Sequence, residues 1–221
     1  MIPILNKTTN DGVIAACRSG HLDCLRFLAE HKASLEQANN KGATPVYIAS
    51  QNGHLDCLRF LAEHKASLEE KTSGHTAVYC AAIRGHAECI RVLAEHKANV
   101  NTPNNDGINP VMAVVLSRKV SIGERAECIR ALFELKGSHY LPNGHSVLYT
   151  CATDLTCIDA LVSAKANVNA KNMVKGFWGL LNAQGDVPLI RAAELGEMKC
   201  VERLLRLGKH TCCVSLVVFI C

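Results

Sequence analysis

The chain has no concentration of charge. Its 24 lysines and arginines face 20 aspartates and glutamates, a net charge of +4, and no stretch gathers five or six like charges. A nucleic-acid reader carries a concentrated basic stripe, so no nucleic-acid partner is expected. There is no apolar run approaching the roughly 18 to 20 residues that a membrane span needs, and no membrane association is expected. The opening Met1–Lys7 lacks a basic region followed by a long apolar stretch, so it does not read as a secretory signal. Absent too are Gly-x-Ser-x-Gly, a P-loop and Gly-x-Gly-x-x-Gly, which removes the familiar nucleophile elbow and phosphate cradles. No catalytic residue, no cofactor and no metal are expected. Aromatics are scarce at 5%, with one tryptophan.

What is present is a composition suited to a packed core: 48% hydrophobic and 20% charged over 221 residues. That length allows one ordinary core or two domains. Twelve cysteines stand in this background. Without an export signal these thiols are expected to stay reduced in the cytoplasm, with the nucleus as the alternative.

The strongest feature is self-similarity. The segment from Gly20 to Glu36, Gly-His-Leu-Asp-Cys-Leu-Arg-Phe-Leu-Ala-Glu-His-Lys-Ala-Ser-Leu-Glu, recurs unchanged from Gly53 to Glu69, an offset of 33 residues. A looser copy runs from Gly85 to Val100, one residue early. Three more follow in phase at Ala126–Leu132, Cys157–Asn169 and Gly196–Leu205. Six units are thus expected, at about 8–40, 41–72, 73–105, 106–142, 143–172 and 184–208. An insertion takes up about 173–183.

Each unit reads as two short helices and a turn. First helices open at Thr44-Pro45, Asn109-Pro110 and Asp186-Val187-Pro188, where a polar side chain caps free N–H groups and proline loses no helical bond. Second helices carry apolar stripes such as Cys24, Leu25, Leu28 and Cys57, Leu58, Leu61. Lys41-Gly42, Ser73-Gly74, Asp106-Gly107, Asn143-Gly144 and Gln184-Gly185 are turn signals.

A 33-residue helix–turn–helix period resembles the ankyrin repeat, with its fingerprint Gly-x-Thr-Pro-Leu-His-x-Ala-Ala-x-x-Gly-His. The match runs through Gly42-Ala43-Thr44-Pro45-Val46-Tyr47 to Gly53-His54, and again from Gly74 to His86. The trailing Gly-Ala-x-Val-Asn-Ala element appears as Lys97-Ala98-Asn99-Val100-Asn101 and as Lys165 to Ala170. The resemblance covers about residues 8–208. It implies an all-α solenoid of stacked helix–turn–helix units joined by β-hairpin-like turns. It also implies a monomeric, non-catalytic interaction module or scaffold that recognises another protein and needs no cofactor. A fragment of a larger signalling or ubiquitin-ligase-type protein is the alternative, with a metal- or nucleic-acid-binding repeat protein behind it.

Departures from the pattern are informative. Tyr47 and Tyr79 replace the family's histidine, so its usual hydrogen bond must change. The fourth unit lengthens its inter-helix link near Lys119 to Arg125, and the first starts its helix at Asp11 without Thr-Pro. Residues 209–221 form an apolar, cysteine-rich tail, either an improvised cap or a truncation. With cysteine as the last residue given, Cys212-Cys213 does not read as a prenylation box, and no lipid anchor is expected.

Cys24, Cys57, Cys89, Cys128, Cys157 and Cys200 share one slot of the second helix, and His21, His54 and His86 precede three of them. Zinc would need four ligands converging at about 2 Å, whereas stacked units hold equivalent residues apart as a ladder. The slot is apolar in the family, and free cysteine behaves as a small buried hydrophobe. Core packing is expected throughout. The Gly-His histidines are expected to tie units together, and His31, His64 and His96 to be solvated.

A binding face follows by subtraction: fold positions repeat between units, whereas recognition positions vary. The varying sites are Asn40, Lys41, Ala43, Gln51 and Asn52, then Thr72, Ser73, His75, Ile83 and Arg84, then Asn105, Asp106 and Ile108. Ile83 is the expected anchor. In the family these slots line the binding face.

Overall fold

The computed structural model describes residues 2–117, 120–137, 148, 151, 154–166 and 188–207, with side chains from Thr9 onward. The insertion at 173–183, the tail at 209–221 and the Asn143-Gly144 and Gln184-Gly185 turns lie outside these residues. Eleven helices fill them: α1 Ile2–Ser19, α2 Leu22–Glu30, α3 Pro45–Asn52, α4 Leu55–Glu63, α5 Ala77–Arg84 and α6 Ala87–Glu95. The rest are α7 Pro110–Leu116, α8 Ile122–Glu134, α9 Leu155–Ser163, α10 Pro188–Glu194 and α11 Met198–Leu207. Five complete helix pairs result, and α9 is the second helix of the expected fifth unit. No described helix is long and apolar enough to cross a membrane.

Local chemistry explains the boundaries. Thr44 and Thr76 accept hydrogen bonds from the N–H groups of Tyr47 and Tyr79, both at 3.2 Å, and Asn109 from that of Met112 at 2.8 Å. First helices stop at Gly53 and Gly85, which turn to φ 74° and 86°. Second helices stop differently. Lys32, Lys65, Lys97, Lys136 and Lys165 adopt φ between 60° and 70°, in the slot where the family's trailing element has glycine. The N–H of Lys65 reaches Ala62 and that of Ala66 reaches Leu61, the paired bonds of a Schellman ending.

Two expectations are corrected. Helix α1 begins at Ile2 rather than Asp11, so the first unit has an extended entry helix. From Ile122 onward the long link of the fourth unit is helix: α8 has 13 residues and opens with a Ser121–Glu124 capping box. Hydrogen bonds from Ser121 hold the Glu124 carboxyl below the usual carboxylate range.

First helices stack on first helices, α1 on α3, α3 on α5 and α5 on α7; second helices form a parallel layer. One core runs between the layers. Leu25, Leu58, Ile90, Ile129 and Ile158, one per unit, are all 0% exposed; each such side chain contributes about 1.5–3 kcal/mol by leaving water. Cys57, Cys89, Cys128, Cys157 and Cys200 are buried as expected, but Cys24 is exposed. The reason is positional: nothing described packs on the upstream side of α2.

Among the described residues there is no strand. The hairpin-like turns are closed by backbone bonds between Asn39 and Ala43 and between Asn104 and Ile108, and by an isolated antiparallel bridge, Thr72 to His75.

Candidate functional site

Two of the turn tips are held by asparagine. The Asn39 carboxamide oxygen accepts from the N–H groups of Lys41 and Ala43 at 2.9 and 3.0 Å. Asn104 does the same for Asp106 and Ile108 at 3.0 and 2.9 Å. A side chain that mimics a backbone turn in this way fixes the tip before any partner arrives. Sequence reasoning passed over both residues, although the shared spacing Asn-x-x-Gly, Asn39 to Gly42 and Asn104 to Gly107, carries the signal.

Most of the expected recognition residues are available. Asn40, Lys41, Asn52, Ser73, Arg84, Asn105 and Asp106 are exposed, and Gln51, His75, Ile83 and Ile108 are half-buried. Two are not. Ala43 and Thr72 are only 6% and 4% exposed. The Thr72 hydroxyl donates to the Gly42 carbonyl at 3.2 Å, so Thr72 fastens one turn to the next. Asn105 also has a structural contact: a Cβ on Gly74 would come within 2.5 Å of its carboxamide nitrogen.

Gln51, His75, Ile83 and Arg84 converge with Tyr47, Tyr79 and Cys80 around a cavity of about 180 Å³ between α3 and α5. Tyr47 fills the family's histidine slot, and its hydroxyl lies beside the Cys80 thiol. Burial, then the Cys80 thiol, holds that hydroxyl above the usual phenol range. Tyr79 stacks on His75 with ring centroids 4.6 Å apart, and its oxygen receives the Asn104 carboxamide N–H at 3.4 Å. Tyr47 therefore joins α3 to α5, and Tyr79 ties α5 to the next turn. Arg84 stands at the rim, exposed, with no ion pair among the described residues.

The histidines divide into two sets. Nε2–H of His54 donates to the Arg18 carbonyl at 2.9 Å, and that of His86 to the Gln51 carbonyl at 3.3 Å. These bonds join successive units. His31, His64 and His96, expected to be merely solvated, instead donate from Nδ1 to carbonyls one turn earlier at 2.8, 2.8 and 3.0 Å. His31 and His64 also lie against Phe27 and Phe60.

A larger cavity of about 770 Å³ is lined by α7, α8, α9 and α11, with Arg125, Asp154, Cys151, Cys157 and Cys200 among its walls. Arg125 pairs with Asp154 at 2.9 Å. The Cys151 thiol is hydrogen-bonded to Cys157, and that bond together with burial raises its pKa well above the thiol range. Thiolate is the reactive form, so the Cys151 sulfur is chemically quiet. No group of three or more metal-binding side chains is gathered among the described residues.

Comparison with known proteins agrees with this geometry. A family model described as ankyrin repeats, in three copies, matches residues 3–72 and 65–139. No curated protein matches the chain. Ankyrin repeats are generally protein–protein interaction modules and generally non-catalytic. With the paired helices, the glycine-bearing turns and more than half its length matched, the chain belongs to the ankyrin-repeat family.

Proposed function

We infer that this protein is a non-catalytic scaffold that binds a partner protein through its turn tips and first-helix layer, without a cofactor. The observation that carries this reading is the convergence around one cavity of Gln51, His75, Ile83 and Arg84, four positions that vary between units. Gln51, Ile83 and Arg84 sit on helices α3 and α5, the neighbouring tips at 39–43 and 104–108 are held by Asn39 and Asn104, and little ordering is needed on binding. Ile83 offers an apolar anchor beside the guanidinium of Arg84, and Lys41 and Asp106 supply charges at the neighbouring tips. Such a surface suits a folded partner or a peptide segment rather than a nucleic acid or a membrane. The cytoplasm, or the nucleus, is the proposed site of action.

The test is affinity capture with the purified protein against a variant altered together at Lys41, His75, Arg84 and Asp106. The variant is expected to lose the partners that the parent retains. Equal capture of the same partners by both would place binding elsewhere.

A further inference from the structure

The two identical segments, Gly20–Glu36 and Gly53–Glu69, form an internal control: one sequence in two environments. In the second copy Cys57 and Leu61 are 0% exposed. In the first, Cys24 is exposed, Leu28 is half-buried and Phe27 is 59% exposed. The difference is the upstream neighbour. The first unit covers the second through α1 on α3 and α2 on α4, and no described residue covers the first. The surface presented by α2 is therefore one that this chain itself buries under a helix pair of its own kind.

The hydrogen bonds say the same. His54 and His86 each donate to the carbonyl two residues before the upstream glycine, those of Arg18 and Gln51. His21 is their counterpart, and its ring has no partner among the described residues. Each upstream glycine also provides a seat. A Cβ on Gly20 would meet the His54 ring at 2.5 Å, and one on Gly53 the His86 ring at 2.7 Å. A third connector is already closed: the Ser67 and Asn99 N–H groups reach Glu36 and Glu69 upstream, whereas that of Ser34 is met by Asn10 of α1.

Among the described residues the complementary open seat lies at the other end. Gly196 occupies the same slot as Gly20 and Gly53, with φ 73°, yet a Cβ there would meet nothing within 4 Å. The carbonyl equivalent to those of Arg18 and Gln51 is that of Glu194, and it receives no loop or cap hydrogen bond among the described residues. In α11 the slot that is 0% exposed as Leu25, Leu58, Ile90, Ile129 and Ile158 is half-buried as Val201. Leu205, one turn on and on the same face, is 44% exposed. Among the described residues a histidine lacks a seat, and a seat lacks a histidine.

We propose that two copies of this chain stack head to tail, α1–α2 of one docking on α10–α11 of the other. His21 seats against Gly196 of the second copy and donates to the Glu194 carbonyl, while Cys24, Phe27 and Leu28 are covered. The contact continues the interface already present between units. Because it joins two different patches, it extends the solenoid rather than closing a symmetric dimer. It replaces the monomer expected from the sequence, and it is independent of the inner-face binding reading.

Sedimentation velocity of the full chain from micromolar to sub-millimolar concentration tests it. The parent is expected to associate with rising concentration. A head variant, Cys24→Asp with Phe27→Glu, and a tail variant, Leu205→Glu, should each weaken association by at least about tenfold. All three positions are exposed in the single chain, so the fold is retained, as circular dichroism would show. Mixed in equal amounts, the two variants should form a dimer that neither forms alone, since each supplies the end that the other has lost. A parent that stays monomeric overturns the proposal. So does a mixture that stays monomeric, because association of the parent would then use some other pair of surfaces.

Discussion

The Nε2 atom of His54 lies 2.9 Å from the carbonyl oxygen of Arg18, across the junction of the first and second units. That bond joins two elements 36 residues apart, and the tight fit of the His54 ring on Gly20 holds it in place. His54→Ala should lower stability by about 1 kcal/mol, the usual net worth of such a bond. His21→Ala, in the identical local sequence, should leave the stability of the dilute protein unchanged. Urea midpoints of the two variants decide the matter, and equal losses would mean that the histidine acts within its own unit.

Lys97 sits at φ 70°, a conformation that costs a residue with a Cβ roughly 1–2 kcal/mol. Its charge near a helix C-terminus offsets part of that strain. Lys97→Gly should therefore be more stable than Lys97→Ala by about 1 kcal/mol, because both lose the charge and only glycine loses the strain. Denaturation midpoints of the pair test this, and the same ordering is expected at Lys65, at φ 60°.

The buried thiols give stability a pH dependence of known sign. Burial, aided by neighbouring groups, raises Cys17 and Cys128 from the ordinary 9.0 to about 12, and Cys89 to about 11. The folded state thus holds these protons more tightly than the unfolded state. Their contribution is fully present below about pH 9 and is lost as pH rises towards about 11–12. Unfolding midpoints should fall through this alkaline window, and Cys128→Ala should make the fall shallower. An unchanged slope in that variant would show that its thiol titrates normally in the fold.

Accessibility separates the twin cysteines. Cys24 is exposed and Cys57 is buried, so a thiol reagent at mildly alkaline pH should modify Cys24 well before Cys57. Trypsin resolves the two, because cleavage after Arg18 and Lys41 places them in different peptides, Ser19–Arg26 and Gly42–Arg59. Equal modification rates would contradict the packing of the second unit on the first.

Asp154 has two tasks. It caps α9 by accepting from the N–H groups of Thr156 and Cys157 at 3.0 and 3.2 Å, and it pairs with Arg125. Asp154→Ala removes both and should cost about 2 kcal/mol. Asp154→Asn keeps a capping oxygen and should cost about half as much. Thermal unfolding of the two variants separates capping from charge.

Much of this architecture was legible in the amino-acid sequence, because its determinants are local and repeated. The 33-residue offset between identical segments, the caps at Thr44 and Asn109 and the turn glycines at 42, 74 and 107 each act within a few residues of themselves. The lengthened fourth unit was visible only as extra chain; whether that chain becomes loop or helix depended on the capping box at Ser121 and Glu124. The candidate face was partly legible. Variation between units finds Arg84 and Ile83, but it also selects Ala43 and Thr72, which vary and are nonetheless buried beneath neighbouring turns.

The limit of sequence is clearest in the twin segments. Residues 20–36 and 53–69 have the same side chains in the same order, and by themselves they determine the same helix, the same Schellman ending at Lys32 and Lys65 and the same apolar stripe. They could not determine whether that stripe is covered. Helix formation is set within a turn or two of chain, whereas burial is set by the neighbour that arrives across a stack. Only the tertiary structure decided that Cys57 is core, that Cys24 is surface and that, among the described residues, His21 lacks the carbonyl that His54 has found.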